Sequence, residues 1–188
     1  ANYLPIDFFN LFLIHLPSVQ KRPDGFAMGK ETRKFWAVFL EDVWDITDDL
    51  RLTLGARYDH YSDFGGHFSP RAGLTWEYMK GYDLKLIYGH AFRAPGFWEV
   101  YSPVGNPDLD PEKVDTYEIS LGAEFTRNFN SRITYYYRVE KDIIGVSSPN
   151  FPWNWVNAGD SRDQGFELEM RYEFGRGTYL AGNYNYQN

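Results

Sequence analysis

The 188 residues contain no cysteine, so neither disulfide staples nor thiol chemistry can contribute to fold or function. Long apolar runs are also missing. A membrane-spanning helix needs roughly 18 or more consecutive apolar residues. The nearest stretch, "FFNLFLIHL" at 8–16, is shorter and is broken by Asn10 and His15. It lacks the basic flank and small-residue cleavage site of a signal peptide, and it reads as an aromatic-rich strand or interfacial segment. Basic residues are in deficit, with 19 Lys and Arg against 26 Asp and Glu and a net charge of −7. Nucleic acid is therefore excluded as a partner, because phosphate binding wants clustered Lys and Arg. Glycine-rich phosphate loops and zinc-ligand spacings are absent. Asp59-His60 is the only adjacent acid–His pair near a strand end, with Ser62 and Ser69 close by in sequence. No motif fixes a nucleophile–base geometry there, so no catalytic residue is assigned and the chain does not read as an enzyme. No metal ligand set and no cofactor is assigned either. Asp63, Asp108, Asp110 and Glu112 are dense in oxygen but lack the spacing of a calcium loop.

What is present is aromatic. Phe, Tyr and Trp make up 19% of the chain, yet mean hydropathy is only −0.52. A transmembrane β-barrel combines these properties by rule, because apolar and aromatic side chains face lipid while polar ones face the lumen. The dominant period is two. Leu52, Leu54, Ala56 and Tyr58 alternate with polar residues or glycine, as do Phe68, Ala72, Leu74, Trp76 and Tyr78. The same holds for Tyr117, Ile119, Leu121, Ala123 and Phe125, for Ile133, Tyr135, Tyr137 and Val139, and for Phe166, Leu168, Met170 and Tyr172. Tyr136 breaks the pattern. Weaker strands fall near 33–45, 82–92 and 177–187. The expectation is all-β: an antiparallel up-and-down meander of about eight long strands, part of a transmembrane barrel.

The connections support this reading. "DITDD", "MKG", "RNFN" and "GRG" read as short turns, whereas 61–67, 91–113 and 145–155 read as longer loops. Short and long alternate, as in outer-membrane barrels with trimmed turns at one end and elaborated loops at the other. Aromatics near strand ends, among them Trp44, Trp76, Tyr78, Tyr82, Trp153 and Trp155, suit interfacial girdles. Charged residues from Arg57 to Arg171 fall on the opposite face, where unlike charges can pair across strands. A soluble β-sandwich with one wet face remains the alternative on pattern alone.

Three segments then point to one family. They are "FLEDVWDITDDLRLTLGARYDHYSDFGGHFSPRAGLTWEY" (39–78), "AFRAP" (91–95) followed by "GNPDLDPEKVDTYEISLG" (105–122), and "NAGDSRDQGFELE" (157–169). In this order they resemble the barrel of TonB-dependent outer-membrane receptors. The resemblance implies high-affinity capture and active import of a scarce nutrient such as a ferric siderophore, haem or cobalamin. It implies energy from the TonB complex, gripped through an N-terminal TonB box, and a plug inside a barrel of about 22 strands. It also implies residence in the bacterial outer membrane, with lipid around the barrel. No plug or TonB box is recognisable here, and "AGNYNYQN" ends inside a strand. The expectation is a barrel fragment, with 1–32 as a loop or partial strand and 33–188 as the barrel portion. Such a fragment is not competent for transport alone and is open to self-association through its sheet edges. A small passive barrel is the other membrane alternative.

In the resembled family, the stretch between the second pair of motifs is an extracellular loop with its strand ends. Arg93 and Pro95 leave the strand, and Pro107 and Pro111 stop the ladder, since proline lacks the N–H donor. Ligand-contact candidates on the outward loops are His60, His67, Arg93, Phe97, Trp98, Tyr101, Trp153 and Trp155. Their rings suit stacking on a planar or sugar-like ligand, and the histidines suit iron or porphyrin.

Overall fold

A chain that alternates apolar and polar residues over ten or more positions can satisfy both faces only as an extended strand. Its backbone donors and acceptors must then be met by neighbouring strands. The computed structural model describes residues 10–16, 31–150, 154–175 and 177–188, the first of these as backbone alone. Within them the chain forms a nine-stranded antiparallel sheet in which sequence neighbours are spatial neighbours throughout. The strands are β1 (Asn10–Leu16), β2 (Phe35–Thr47), β3 (Leu50–Tyr61), β4 (Gly65–Met79) and β5 (Tyr82–Arg93), then β6 (Glu112–Thr126), β7 (Phe129–Val146), β8 (Trp155–Gly175) and β9 (Thr178–Gln187). One short helix, α1 (Phe97–Tyr101), interrupts the connection between β5 and β6. All eight expected strands are present. The segment read as strand or interfacial supplies the ninth over Asn10–Leu16, antiparallel to β2.

Register sorts the side chains. One continuous row across the sheet is Trp44, Leu52, Leu74, Leu86, Ile119, Tyr135, Phe166 and Tyr186. A row on the opposite face is Asp83, Gly122, Arg132, Glu169 and Asn183. Apart from the loop prolines Pro95 and Pro111, the only buried apolar side chains among the described residues are Ala37, Leu109 and Ile144. No second sheet packs against the first among those residues, so the sandwich alternative finds no support. Large side chains of the apolar face stay exposed, Phe68, Phe125 and Leu180 by more than half.

The apolar face is bounded by two lines of rings. Near the two-residue turns, Tyr82, Phe125, Phe129 and Tyr172 follow one another at centroid distances of 6.4, 5.4 and 6.5 Å. Toward the loops, Tyr88, Tyr117 and Tyr137 do so at 5.1 and 6.4 Å. From Tyr117 to Phe125 the strand runs about 27 Å, or roughly 20 Å of height at barrel tilt, close to the ~25 Å apolar band of outer-membrane barrels.

On the polar face, glycines let charges meet across an intervening strand. Asp83 on β5 and Arg132 on β7 pair in two hydrogen bonds of 2.9 Å. They pass over Gly122 of β6, where a Cβ would collide with the Asp83 carboxylate and lie 2.6 Å from the Arg132 guanidinium. Arg71 on β4 reaches Glu41 on β2 in the same way. It crosses Gly55 of β3, where a Cβ would lie 2.6 Å from Arg71 Nε. Tyr136, the exception to the alternation, lies on this face opposite Gly165.

One expectation is corrected. The stretch 61–67 is not a long loop: the ladder continues through Tyr61↔Gly65, His60↔Gly66 and Asp59↔His67, leaving only 62–64 outside it. Gly65 takes φ of +80°, a conformation that side-chain-bearing residues rarely adopt, and this closes the hairpin. The turn ends of the other hairpins are short as expected, and after β2 the longer connections are 94–111 and 147–154.

Two outcomes follow. In size-exclusion chromatography with light scattering, the exposed apolar face makes the refolded chain detergent-dependent; a compact monomer in plain buffer would refute a lipid-facing surface. Gly122→Val separates Asp83 from Arg132 and overpacks the row, at a cost of about 1–3 kcal/mol. A lowered unfolding midpoint in detergent micelles, followed by circular dichroism, is the expected reading.

Candidate functional site

The longest described connection, 94–111, leaves the sheet at Arg93 and returns at Glu112, which are direct cross-strand partners. Arg93 pairs with Glu112 through Nε and donates a second bond from Nη2 at 2.8 Å. Its Nη1 donates to both oxygens of Glu99 at 3.1 and 3.2 Å. Glu99 Oε2 accepts the Gly96 amide at 2.5 Å, which starts α1. Glu112 Oε1 also accepts the Ile144 amide of β7 at 2.7 Å. One guanidinium thus ties the strand ends, the helix and the next hairpin together. Bidentate charge-assisted bonds of this kind carry both energy and geometry.

The near side of the loop rests on Arg33. This residue is 7% exposed. Its Nε donates to Asp63 at 2.7 Å and its Nη1 to the Pro95 carbonyl at 2.8 Å. The guanidinium lies over the rings of Phe64 and Phe97 at 4.8 and 4.9 Å. Tyr101 Oη on α1 donates to Asp63 at 3.1 Å. Burial, followed by the nearby Asp63 charge, raises the Tyr101 pKa above the usual phenol value, so its hydroxyl stays protonated at neutral pH.

The far side is clamped by amides. Asn157 Oδ1 accepts from the Asp110 amide at 3.0 Å, and Asn157 Nδ2 donates to the carbonyls of Asp110 and Asp142 at 2.9 and 2.6 Å. Asn106 Nδ2 donates to the Trp155 carbonyl at 3.0 Å, and Asn106 Oδ1 accepts from the Asp108 amide at 2.9 Å. Beneath the loop, a ring cluster gathers at the loop end of the sheet. Phe35 stacks on Tyr61 at 5.3 Å, Tyr61 on Phe64 at 4.4 Å, and His67 on Phe92 at 4.6 Å.

The residues singled out from sequence divide by location. His67, Arg93, Phe97 and Tyr101 fall within this assembly. Trp98 projects from α1 and is 40% exposed. Trp155 begins β8, and its amide donates to the Val104 carbonyl at 3.3 Å. Trp153 lies outside the described residues. His60 is not brought to His67: their partners Gly66 and Asp59 are consecutive in register, which puts the two histidines on opposite faces. His60 tilts against Trp36 at 5.5 Å. Arg33, Glu99 and Asn157 escaped sequence reasoning as site residues. Their partners stand far away in sequence, and a lone Arg, Glu or Asn carries no local signal of that pairing. The assembly offers ring faces and paired charges for binding, and among the described residues no cluster of three or more acidic or His side chains is arranged to hold a metal ion.

The family model for the β-barrel of TonB-dependent receptor-like proteins matches residues 6–188. The iron-regulated outer membrane virulence protein of Vibrio cholerae serotype O1 is 29% identical over an alignment covering 80% of this chain and 27% of that protein. Among solved structures, the siderophore receptor PirA from Pseudomonas aeruginosa is similar, with a TM-score of 0.76 at 23% identity. That match covers 84% of this chain and 32% of PirA. The FrpB iron transporter from Neisseria meningitidis gives 0.68 at 20% identity, covering 86% and 26%. The chain thus spans about a quarter to a third of the length of these proteins.

Asn157→Ala removes three hydrogen bonds at the far clamp, each worth about 1 kcal/mol. Hydrogen–deuterium exchange read by mass spectrometry is expected to accelerate about tenfold or more within 106–111 while the β6 and β7 ladders keep their protection. Unchanged exchange there would show that the clamp is idle.

Proposed function

The chain belongs to the family of TonB-dependent receptor-like β-barrels, and from that membership we propose that it forms a wall segment and part of the ligand-facing mouth of a receptor that imports a ferric siderophore. The family is one of bacterial outer-membrane receptors, not of enzymes. The observation that carries the reading is the built loop 94–111: a ring-bearing excursion fixed at both ends on a rigid wall is the form a binding rim takes. The cargo class follows the relatives. The Vibrio cholerae protein is iron-regulated, PirA is a siderophore receptor, and a ferric enterobactin receptor of Pseudomonas aeruginosa, solved in complex with enterobactin, has a TM-score of 0.74 to this chain.

In this reading 33–188 is barrel wall, and the TonB complex and surrounding lipid are the receptor's partners. Trp98 makes direct contact with the iron chelate by stacking. Phe97, Tyr101 and Trp155 contribute ring surface beside it, and His67 and Arg93 shape the rim from below. The opposite faces of His60 and His67 favour a chelate over haem, since the two rings do not converge on one iron.

The test uses the complete receptor that carries this chain, produced in outer membranes lacking other siderophore receptors, with ferric enterobactin as the probe. Saturable binding and TonB-dependent iron uptake are expected. Trp98→Ala, exposed and outside the sheet, should weaken binding about three- to tenfold, the worth of one aromatic contact, without changing the amount of folded receptor. Uptake that proceeds equally well without TonB would refute active import.

A further inference from the structure

The ladder is not continuous at the loop end of the sheet. β3 and β4 stay paired up to Tyr61↔Gly65, and β5 and β6 up to Arg93↔Glu112. Between these two pairs of strands, the β4–β5 register runs only from Met79↔Tyr82 to Arg71↔Gly89. The next step would set Pro70 opposite His90, and proline has no N–H to give the ladder. Residues 65–70 of β4 and 90–93 of β5 therefore run on without pairing to each other. A cavity of about 300 Å³, with Arg57, Tyr61, Ser69, Ala91 and Phe92 in its wall, opens along this seam. The seam divides the rim. The β3–β4 hairpin stands on one side, and α1 with its loop 94–111 on the other.

Side chains close what the backbone leaves open. Arg33 belongs to the hairpin side: the Lys34 amide donates to Ser62 Oγ at 3.0 Å, and the Ser62 amide donates back to the Lys34 carbonyl at 2.9 Å. From there the Arg33 guanidinium spans the seam. Nε holds Asp63 of the hairpin, while Nη1 reaches the Pro95 carbonyl on the far side. The same group lies over Phe64 of the hairpin and over Phe97 of α1. Tyr101 of α1 crosses the other way to Asp63. Lower in the seam, the Phe92 ring meets His67 at 4.6 Å and Tyr61 at 5.9 Å. Both of these polar crossings run through the Arg33–Asp63 pair, and Arg33 is buried, so they act where water competes least.

We propose that Arg33 is a latch across this seam: it makes the β3–β4 hairpin and α1 one cooperative unit and thereby positions Trp98 for the ligand. The latch rests on the geometry alone, whereas its service to Trp98 rests on the receptor reading above. The link needs arginine, because one planar group both bonds two acceptors and lies over two rings, and a lysine ammonium is a point charge without a flat face. Coupling of this kind is reciprocal, so loosening either side loosens the other.

The test is amide-resolved hydrogen–deuterium exchange on the full chain in detergent. The amides of Val100 and Ser102 close α1, and that of Ser62 ties the hairpin to Lys34. Arg33→Met is expected to accelerate exchange at all three together, by about five- to tenfold. Asp110, held by Asn157, and the β6 and β7 ladders should keep their protection, which also reports that the variant is folded. Arg33→Lys should restore neither side. Asp63→Asn, a milder change confined to the hairpin, should carry the acceleration across the seam to Val100 and Ser102. Acceleration confined to the mutated side, or rescue by lysine, would each overturn the latch. In the complete receptor probed with ferric enterobactin, Arg33→Met should weaken binding by about the same three- to tenfold as Trp98→Ala, and the double variant no further. Additive losses would overturn the positioning of Trp98. Coupled exchange with binding untouched by either variant would support the latch and refute the cargo contact instead.

Discussion

The register of the β-ladder is the constraint on which the rest depends. Nearly every described strand residue has its position fixed by hydrogen bonds to a sequence neighbour strand, and side chains alternate with a period of two. A slip of one residue between any two strands would carry Leu86, Ile119 and Tyr135 to the charged side and Asp83, Arg132 and Glu169 to the apolar side. The polar face reinforces the correct register. The Asp83–Arg132 pair exists only when Gly122 stands between them, and Glu41–Arg71 only when Gly55 does. Each exposed pair is worth little alone. A bridge between second-neighbour strands, however, aligns three strands at once, which no adjacent-strand contact does.

The loop 94–111 inherits its position from that alignment. Its base is the Arg93–Glu112 cross-strand pair, the last step of the β5–β6 ladder, and its far clamp is Asn157, placed by the β7–β8 pairing. The loop is therefore not a flexible appendage to a scaffold. It continues the sheet with side-chain hydrogen bonds where proline has ended the backbone ones. Leu109, buried among these contacts, is the small apolar centre that keeps water from competing for them.

Much of this was legible in the sequence, and the boundary is instructive. Strands with clean alternation, such as Tyr117–Phe125, announce both their extent and their two faces. Pro111 marks where β6 can start, and the strand begins at the next residue. The stretch 61–67 misled because Ser, Asp and Gly signal a turn without stating how tight it is. A positive φ at Gly65 shortened it to a hairpin. The ion pairs were out of reach for a different reason. Asp83 and Arg132 are equivalent to any other charged residues on their strands until register places them in one row. The same holds for Arg33, whose meaning comes wholly from Asp63, Pro95 and two rings met in space. Local pattern encodes period and punctuation, whereas pairing across strands is a property of the assembled sheet.

The two faces of the wall are held by different forces, and this shapes what each can do. The apolar face gains little from packing within the chain beyond its ring contacts, because its rings and branched side chains lie in a single exposed layer. Its stabilisation must come from the medium it faces, and in the proposed receptor that medium is the bilayer. The loop end is instead held by hydrogen bonds and charge pairs of about 1 kcal/mol each. Those contacts can exchange with a ligand's polar groups without loss of the ladder beneath. A rim held by exchangeable polar contacts above a wall held by its ladder is the arrangement the proposed receptor needs. In the proposed receptor, capture acts on the clamps at Asn157 and Asp63, while the strands carrying them keep their register.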